Sequence, residues 1–363
     1  MKVALKELAV SGRSSLKLSD VKKSGKYPVY GASGLVGYRD DYQCESSSVA
    51  VIKDGAGVGR VSLLPAFSSV LGTMQLLKPA EGVDVGYLSY AVKSLRLGGS
   101  FVGSTIPHIY FKNYGKSLIE KRNVSSQKKI ASALHDIEKG IESLNARITT
   151  LDSLVKSRFI EMFGDVFNGT QHYPLRPISD FVEAKIGRAS KDFRPNEIIR
   201  YIDISSIDNK NRCIVGYTEF QKCNAPSRAQ QHVKKGDLLI STVRPNLRNV
   251  ARVEDSFDNL VASSGFCVLR PKTSDPNYLF GIVSSEAFAQ KLSTLTNGAS
   301  YPAVTDNDIL SFEIPDAPLN VRKEYSDFVS QIDKSEFVVR KQIKDLQELL
   351  DSKMDEYFGG EEE

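Results

Sequence analysis

From Ile130 onward apolar residues recur at Leu134, Ile137, Ile141, Leu144, Ile148, Leu151 and Val155, in steps that alternate four and three. That alternation is a coiled-coil seam and predicts one continuous helix, since no proline lies between Ser126 and Phe163. A helix of about 35–40 residues would be roughly 55–60 Å long at about 1.5 Å per residue. Near the C-terminus the pattern returns at Tyr325, Val329, Ile332, Val339, Ile343, Leu346 and Leu350, interrupted once by Glu336. Gly164 and Gly359 stand where each helix would stop. A helix packed only on its own domain carries a wider, less regular apolar face, so each seam calls for a partner helix. Intramolecular, antiparallel pairing of the two helices is the expected arrangement; a homodimeric coiled coil competes with it.

The segments before the helices have a different rhythm. Residues 1–121 and 173–316 carry short β-branched runs punctuated by Gly, Pro, Asn and Ser, with helical stretches such as Tyr278–Leu292. They read as compact α+β domains. The expected division is a first domain over 1–121, a central spacer helix over 122–165, a second domain over 173–316 and a C-terminal spacer helix over 317–359. A polar connector occupies residues 165–172, and Gly360-Glu361-Glu362-Glu363 reads as a disordered tail.

The two halves repeat each other. Gly103-Ser104-Thr105-Ile106-Pro107 matches Gly298-Ala299-Ser300-Tyr301-Pro302 at an offset of 195 residues. The same offset brings Ile119 to Ile314, Ile137 to Ile332, Ile148 to Ile343, Leu154 to Leu349, and Glu161-Met162-Phe163-Gly164 to Glu356-Tyr357-Phe358-Gly359. With small gaps, Leu76-Leu77-Lys78-Pro79 answers Val268-Leu269-Arg270-Pro271, and Val49-Ala50-Val51-Ile52 answers Asp237-Leu238-Leu239-Ile240. Gly12-Arg13-Ser14-Ser15 is matched to Gly187-Arg188-Ala189-Ser190. So long a period excludes a solenoid and implies two copies of one domain-plus-helix unit, related by a pseudo-twofold.

Composition narrows the chemistry. No run of 18 apolar residues exists, the N-terminus lacks a secretory apolar region, and Cys44, Cys213, Cys223 and Cys267 form no C-x-x-C pair. These features point to a reducing cytoplasm, with no membrane association, disulfide framework or metal. A net charge of +4 permits nucleic-acid binding without requiring it. Several catalytic signatures are incomplete. Asp275-Pro276-Asn277-Tyr278 lacks the second proline of an adenine-methyltransferase turn and reads as the opening of a helix. Gly55-Ala56-Gly57-Val58-Gly59 is followed by Arg60 and a strand-like run, whereas a dinucleotide loop needs a helix there. Gly115-Lys116-Ser117 has Tyr110 in place of the P-loop's upstream glycine, and the four histidines are dispersed. No catalytic constellation is present in the sequence.

The segments Gly25-Lys26-Tyr27-Pro28-Val29-Tyr30-Gly31-Ala32-Ser33-Gly34-Leu35-Val36-Gly37-Tyr38 and Ile52-Lys53-Asp54-Gly55-Ala56-Gly57-Val58-Gly59 resemble those of the specificity subunits of type I restriction–modification systems. So do the Gly-x-Thr/Ser-x-Pro elements, the Met/Tyr-Phe-Gly endings and the tandem layout. Ile119-Glu120 departs from the Ile-Pro found in the second copy at Ile314-Pro315. The resemblance implies two target-recognition domains reading a split site on double-stranded DNA. It also implies a helix pair that docks two methyltransferase subunits, and restriction/translocase subunits in the same complex. S-adenosylmethionine, ATP and Mg would then belong to those partners, with no cofactor and no reaction in this chain. The competing readings are a coiled-coil scaffold without a nucleic-acid role and a free-standing methyltransferase or nuclease.

DNA contacts call for Lys and Arg at phosphates, with Arg, Asn or Gln at base edges. In the second domain the candidates are Arg188, Lys191, Arg194, Arg244, Asn246 and Arg248, with Lys210 and Arg212 behind them. In the first they are Arg13, Lys26, Lys53 and Arg60, with Lys22 and Lys23 nearby.

Overall fold

The strand Ser48–Ile52 is buried along its whole length. Its alternating side chains explain why: Val49 and Val51 enter one core with Leu77, Tyr87, Leu88 and Ala91, while Ala50 and Ile52 enter a second with Val70, Met74 and Leu76. A strand that faces apolar cores on both sides must be a continuous hydrophobic run, as this one is. Around it the strands Ala9–Gly12, Met74–Pro79, Ser48–Ile52 and Val61–Leu64 lie in that order as an antiparallel sheet. A smaller sheet pairs Tyr27–Gly31 antiparallel with Gly34–Arg39 and parallel with Ser69–Val70. The helix Val85–Ser94, capped by the Asp84 carboxylate on the Tyr87 amide, contributes most of its residues to the first core.

The computed structural model describes residues 1–99, 107–273, 276–296 and 302–359. Residues 103–106 and 298–301 of the repeated Gly-x-Thr/Ser-x-Pro element, Asp275 of the Asp-Pro-Asn-Tyr run and the 360–363 tail lie outside them.

The second copy uses the same scheme. Leu238–Ser241 pairs with Val250–Arg252 and Phe266–Leu269, and Leu238 and Ile240 face one core while Leu239 faces another. Ile198–Ile202 runs parallel to Leu260–Ser263, as Tyr27–Gly31 does to Ser69–Val70. In each copy the first strand pairs antiparallel with the last: Val3 faces Ile119, and Arg176 faces Ile314. The Ile119–Ile314 match therefore holds in the sheet, despite Glu120 standing where the second copy has Pro315.

Two other alignments change. Val49 faces Leu77 and Leu238 faces Leu269, so Val49 corresponds to Leu238, one residue beyond the match to Asp237. Gly12 ends a strand opposite Leu76, whereas Gly187 pairs with His232 in a different sheet, so these two glycines are not equivalent. The helical stretch Tyr278–Leu292 is two helices, Asn277–Val283 and Glu286–Thr294, with the Ser285 hydroxyl capping the second.

Asp237, displaced from that alignment, has a structural task. It is 1% exposed, takes a forked contact from Arg270 at 2.8 and 2.6 Å, and accepts the Lys234 amide. Asp237→Ala would leave a largely buried guanidinium without its carboxylate. A loss of about 3–5 kcal/mol is expected in denaturant unfolding. A change below about 1 kcal/mol would mean that the pair does not hold this corner of the fold.

The long helices run Val124–Phe163 and Leu319–Phe358, 40 residues each. Asn123 starts the first by accepting the Ser126 amide at 2.8 Å, and Gly164, left-handed at φ +80°, ends it. Gly359 carries no such turn; its amide continues the helical bonding to the Asp355 carbonyl at 2.8 Å. The chain forms two compact bodies, Met1–Ala146 with Val339–Glu363 and Arg147–Val338. The spacer helices are thus shared out between the bodies, one half of each to each, instead of standing as separate units.

Within the first body the two helix segments are antiparallel. Arg122 reaches the Tyr357 carbonyl at 3.5 Å, and further along a Cβ on Gly140 would stand 3.1 Å from Leu346 Cδ1. Within the second, Phe159 and Phe163 of one helix meet Tyr325 of the other edge-on at 5.4 Å, with Tyr278 packed beside them. Ile130, Leu134, Val329 and Val339 are buried; Ile137, Ile141, Leu144, Ile148, Leu151, Val155, Ile332, Ile343, Leu346 and Leu350 are half-buried. No described helix is long and apolar enough to cross a membrane.

Candidate nucleic-acid interface

After the central buried strand, each body makes the same turn. In the first, the Gly55 amide donates to the Pro107 carbonyl at 3.0 Å, Val58 to Gly55 at 3.1 Å, and Ile52 to Arg60 at 2.9 Å. In the second, Arg244 donates to Pro302 at 2.8 Å, Leu247 to Arg244 at 2.9 Å, and Ser241 to Asn249 at 2.9 Å. Gly55–Gly59 and Arg244–Arg248 are therefore one loop in two copies. Each is pinned to the proline that closes the repeated Gly-x-Thr/Ser-x-Pro element.

The basic candidates gather unevenly around these loops. In the first body, Lys53 and Arg60 flank the turn. Arg60 is exposed, and its Nη2 donates to the Ala32 carbonyl at 3.3 Å, tying the loop to the tip of the Tyr27–Arg39 hairpin. Asp54 meets His108 Nδ1 at 2.7 Å, and His108 stacks toward Tyr110, over which Lys112 lies. Lys26 sits over the Tyr27 ring at 5.1 Å, and Lys22 is paired with Asp40. Lys23 and Arg13 are exposed, and Arg13 follows the edge strand Ala9–Gly12 of the same sheet whose strands Ser48–Ile52 and Val61–Leu64 flank the loop. Tyr110 entered the sequence reading only as the residue in place of a P-loop glycine, and Lys112 not at all, because nothing in Tyr110-Phe111-Lys112 marks the turn until His108 sets Tyr110 beside it.

In the second body, Arg244 and Asn246 are exposed at the loop. Arg248 is half-buried, and its Nη2 donates to the Ser284 carbonyl at 3.1 Å, holding the loop to the junction of two helices. Asn209 Nδ2 donates to the Leu247 carbonyl at 3.0 Å and brings the Lys210 turn alongside. Arg212 points elsewhere: it pairs with Asp152 of the long helix at 2.9 Å. Arg188, Lys191 and Arg194 are exposed on a separate strand–helix turn, where His232 bridges Asp192 and the Asp258 carbonyl.

The catalytic look-alikes take structural roles. Gly115-Lys116-Ser117 is the turn from a short helix into the Leu118–Glu120 strand. Val61–Leu64 after the glycine loop is a strand. Asn277 accepts from Arg252 and donates to the Ser326 carbonyl, while the Tyr278 hydroxyl donates to the Pro315 carbonyl at 2.5 Å. Among the described residues no group of His, Cys, Asp and Glu could hold a metal ion.

Comparison with known proteins matches residues 1–153 and 173–348 to the type I restriction modification DNA specificity domain. The chain is 24% identical over 334 residues to the type I restriction enzyme MjaVIII specificity subunit of Methanocaldococcus jannaschii, covering 83% of this chain and 76% of that one. It is 25% identical over 170 residues to the HindI specificity subunit of Haemophilus influenzae, covering 43% of this chain and 36% of that one. The fold is similar to that of a type I restriction–modification S subunit from M. genitalium, with a TM-score of 0.62 at 16% identity, covering 100% of this chain and 96% of that one.

Proposed function

Because this chain belongs to the type I restriction–modification DNA specificity family, we propose that its two α+β domains, residues 1–121 and 173–316, each read one half of a split site on double-stranded DNA. The observation that carries this reading is the duplicated, proline-pinned loop with Lys53 and Arg60 beside one copy and Arg244, Asn246 and Lys210 on or beside the other. Exposed Arg13, Lys26, Arg188, Lys191 and Arg194 supply phosphate contacts. The long helices serve two methyltransferase subunits, and restriction/translocase subunits complete the assembly in the cytoplasm. S-adenosylmethionine, ATP and Mg act on those partners.

Methylome sequencing of cells that carry this chain with a type I methyltransferase subunit tests the reading. The expected result is a methylated motif of two defined half-sites around an unspecified spacer, absent when this chain is deleted. A contiguous motif, or methylation that persists after deletion, rejects it. Binding of the assembled complex to a duplex bearing that motif should weaken steeply with salt. Each phosphate neutralised contributes a slope of about −0.9 in log K against log salt. A scaffold without a nucleic-acid role would show no such slope.

A further inference from the structure

The segment that pins each loop is also built twice. In the first body the Ile109 amide donates to the Lys53 carbonyl at 2.9 Å, and Asp54 forms a bridge with His108. In the second the Val304 amide donates to the Thr242 carbonyl at 2.9 Å, and Val243 forms the same bridge with Ala303. A short helix follows each bridge, Phe111–Tyr114 with Tyr110 at its cap and Asp306–Leu310 with Thr305 at its cap. The backbones match and the side chains on them do not.

In the second body the side chains at these points act locally. Thr242 Oγ1 donates to the Gly265 carbonyl at 3.0 Å, Thr305 Oγ1 accepts the Asp308 amide at 3.2 Å, and Val243 and Ala303 are apolar. The first body carries a polar and aromatic row instead. Extended backbone alternates its faces, so Ile109 enters the core while Tyr110 is 48% exposed and His108 half-buried. The imidazole stacks toward the Tyr110 ring at 6.4 Å, and Lys112 Nζ lies 5.3 Å from the centre of that ring. Lys53, Arg60 and Lys112 outnumber the single carboxylate of Asp54, so this face suits a polyanion.

Asp54 gives the row its direction. A carboxylate only accepts, so the 2.7 Å contact makes His108 donate from Nδ1. The ring is thereby held and Nε2 is presented; among the described residues no hydrogen bond reaches that nitrogen. One polar atom at a fixed place is what base readout requires, whereas lysines on flexible stems meet phosphates. We propose that His108, held by Asp54 as a positioning residue, contacts a base edge of the first half-site, with Lys53 and Lys112 on the adjoining phosphates. The proposal rests on the DNA-recognition reading above and adds the residues that set one half-site.

The test uses the full chain assembled with its methyltransferase subunits, after the methylated motif of the unaltered protein has been mapped. Asp54→Val together with His108→Ala installs the pair that the second body already uses at this bridge, so the denaturant midpoint should change little. Binding to the mapped duplex should weaken by roughly fivefold or more. One position in one half-site should relax while the other half-site stays as defined as before. Asp54→Val alone leaves the imidazole free to turn, and should relax the same position with a smaller loss of affinity. Lys112→Ala should leave the motif intact and reduce the slope of log K against log salt by about 0.9, the share of one phosphate contact.

An unchanged motif in the double variant would overturn the proposal, and so would relaxation of both half-sites together. Should that variant unfold the first body, Lys112→Ala still decides, because Lys112 is exposed: a salt slope equal to that of the unaltered complex would overturn the proposal as well. Failure of the unaltered complex to bind or methylate any split motif would instead reject the DNA-recognition reading on which the proposal stands.

Discussion

Leu134→Asp should destabilise the first body by at least about 3–5 kcal/mol, the largest single-residue effect expected along the seam. Leu134 is 0% exposed and belongs to the core that contains Val49, Leu77, Tyr87 and Leu88, with Leu350, Met354 and Phe358 of the second helix packed against it. The substitution removes a buried side chain and leaves a carboxylate with no cation within that apolar cluster. Ile137→Asp and Leu144→Asp should cost less, since both positions are half-buried and a carboxylate there reaches water. Leu154→Asp should be nearly neutral because Leu154 is 47% exposed. Denaturant unfolding of the full chain checks the order. Equal losses at Leu134 and Leu154 would mean that the four-and-three spacing does not decide which face is enclosed.

That gradation marks the boundary of what the amino-acid pattern made legible. Apolar positions spaced by four and three over Ile130–Val155 and Tyr325–Leu350, broken only at Glu336, made both helices and the side they bury legible, while leaving open whether the partner helix lay in the same chain. The duplicated domains were legible for a similar reason, since the 195-residue offset holds without a gap from Pro107 and Pro302 onward. Strand register was not. Ser48–Ile52 and Leu238–Ser241 are buried on both faces, so they lack the alternation that fixes a register, and the match slipped by one residue. That slip hid the most informative comparison in the molecule, because only the corrected register sets Lys53 against Thr242 and Asp54 against Val243. The sequence reading also treated Arg244, Asn246 and Arg248 as one kind of residue, with Arg212 ranked behind them. Composition of a loop does not say which way a guanidinium turns, and here Arg248 turns to Ser284 and Arg212 to Asp152. The division of the helices between two bodies was equally hidden, since a regular seam does not reveal which half packs with which core.

Lengthening both long helices by one heptad should change the DNA site without changing what either half-site says. Insertions after Ala146 and after Val338 fall where the chain passes from one body to the other, so neither core is interrupted. Seven residues add about 10 Å to each helix, or roughly three base pairs at about 3.4 Å each. The unspecified spacer should grow by about that number. A whole heptad preserves the positions occupied by Ile141, Leu144 and Ile148 on one helix and Val339, Ile343 and Leu346 on the other. Inserting four residues instead would rotate one part of the seam away from its partner, and assembly with the methyltransferase subunits should suffer. Three additional base pairs also turn the second half-site by roughly a quarter of a revolution about the duplex, which must be absorbed by twist in the DNA or the helices. The heptad variant should therefore methylate more slowly at its new site than the unaltered complex does at its own. Methylation mapping of the variant decides the matter. A longer spacer between unchanged half-sites is the expected result, and altered half-site bases with the original spacer would show that helix length does not set the distance.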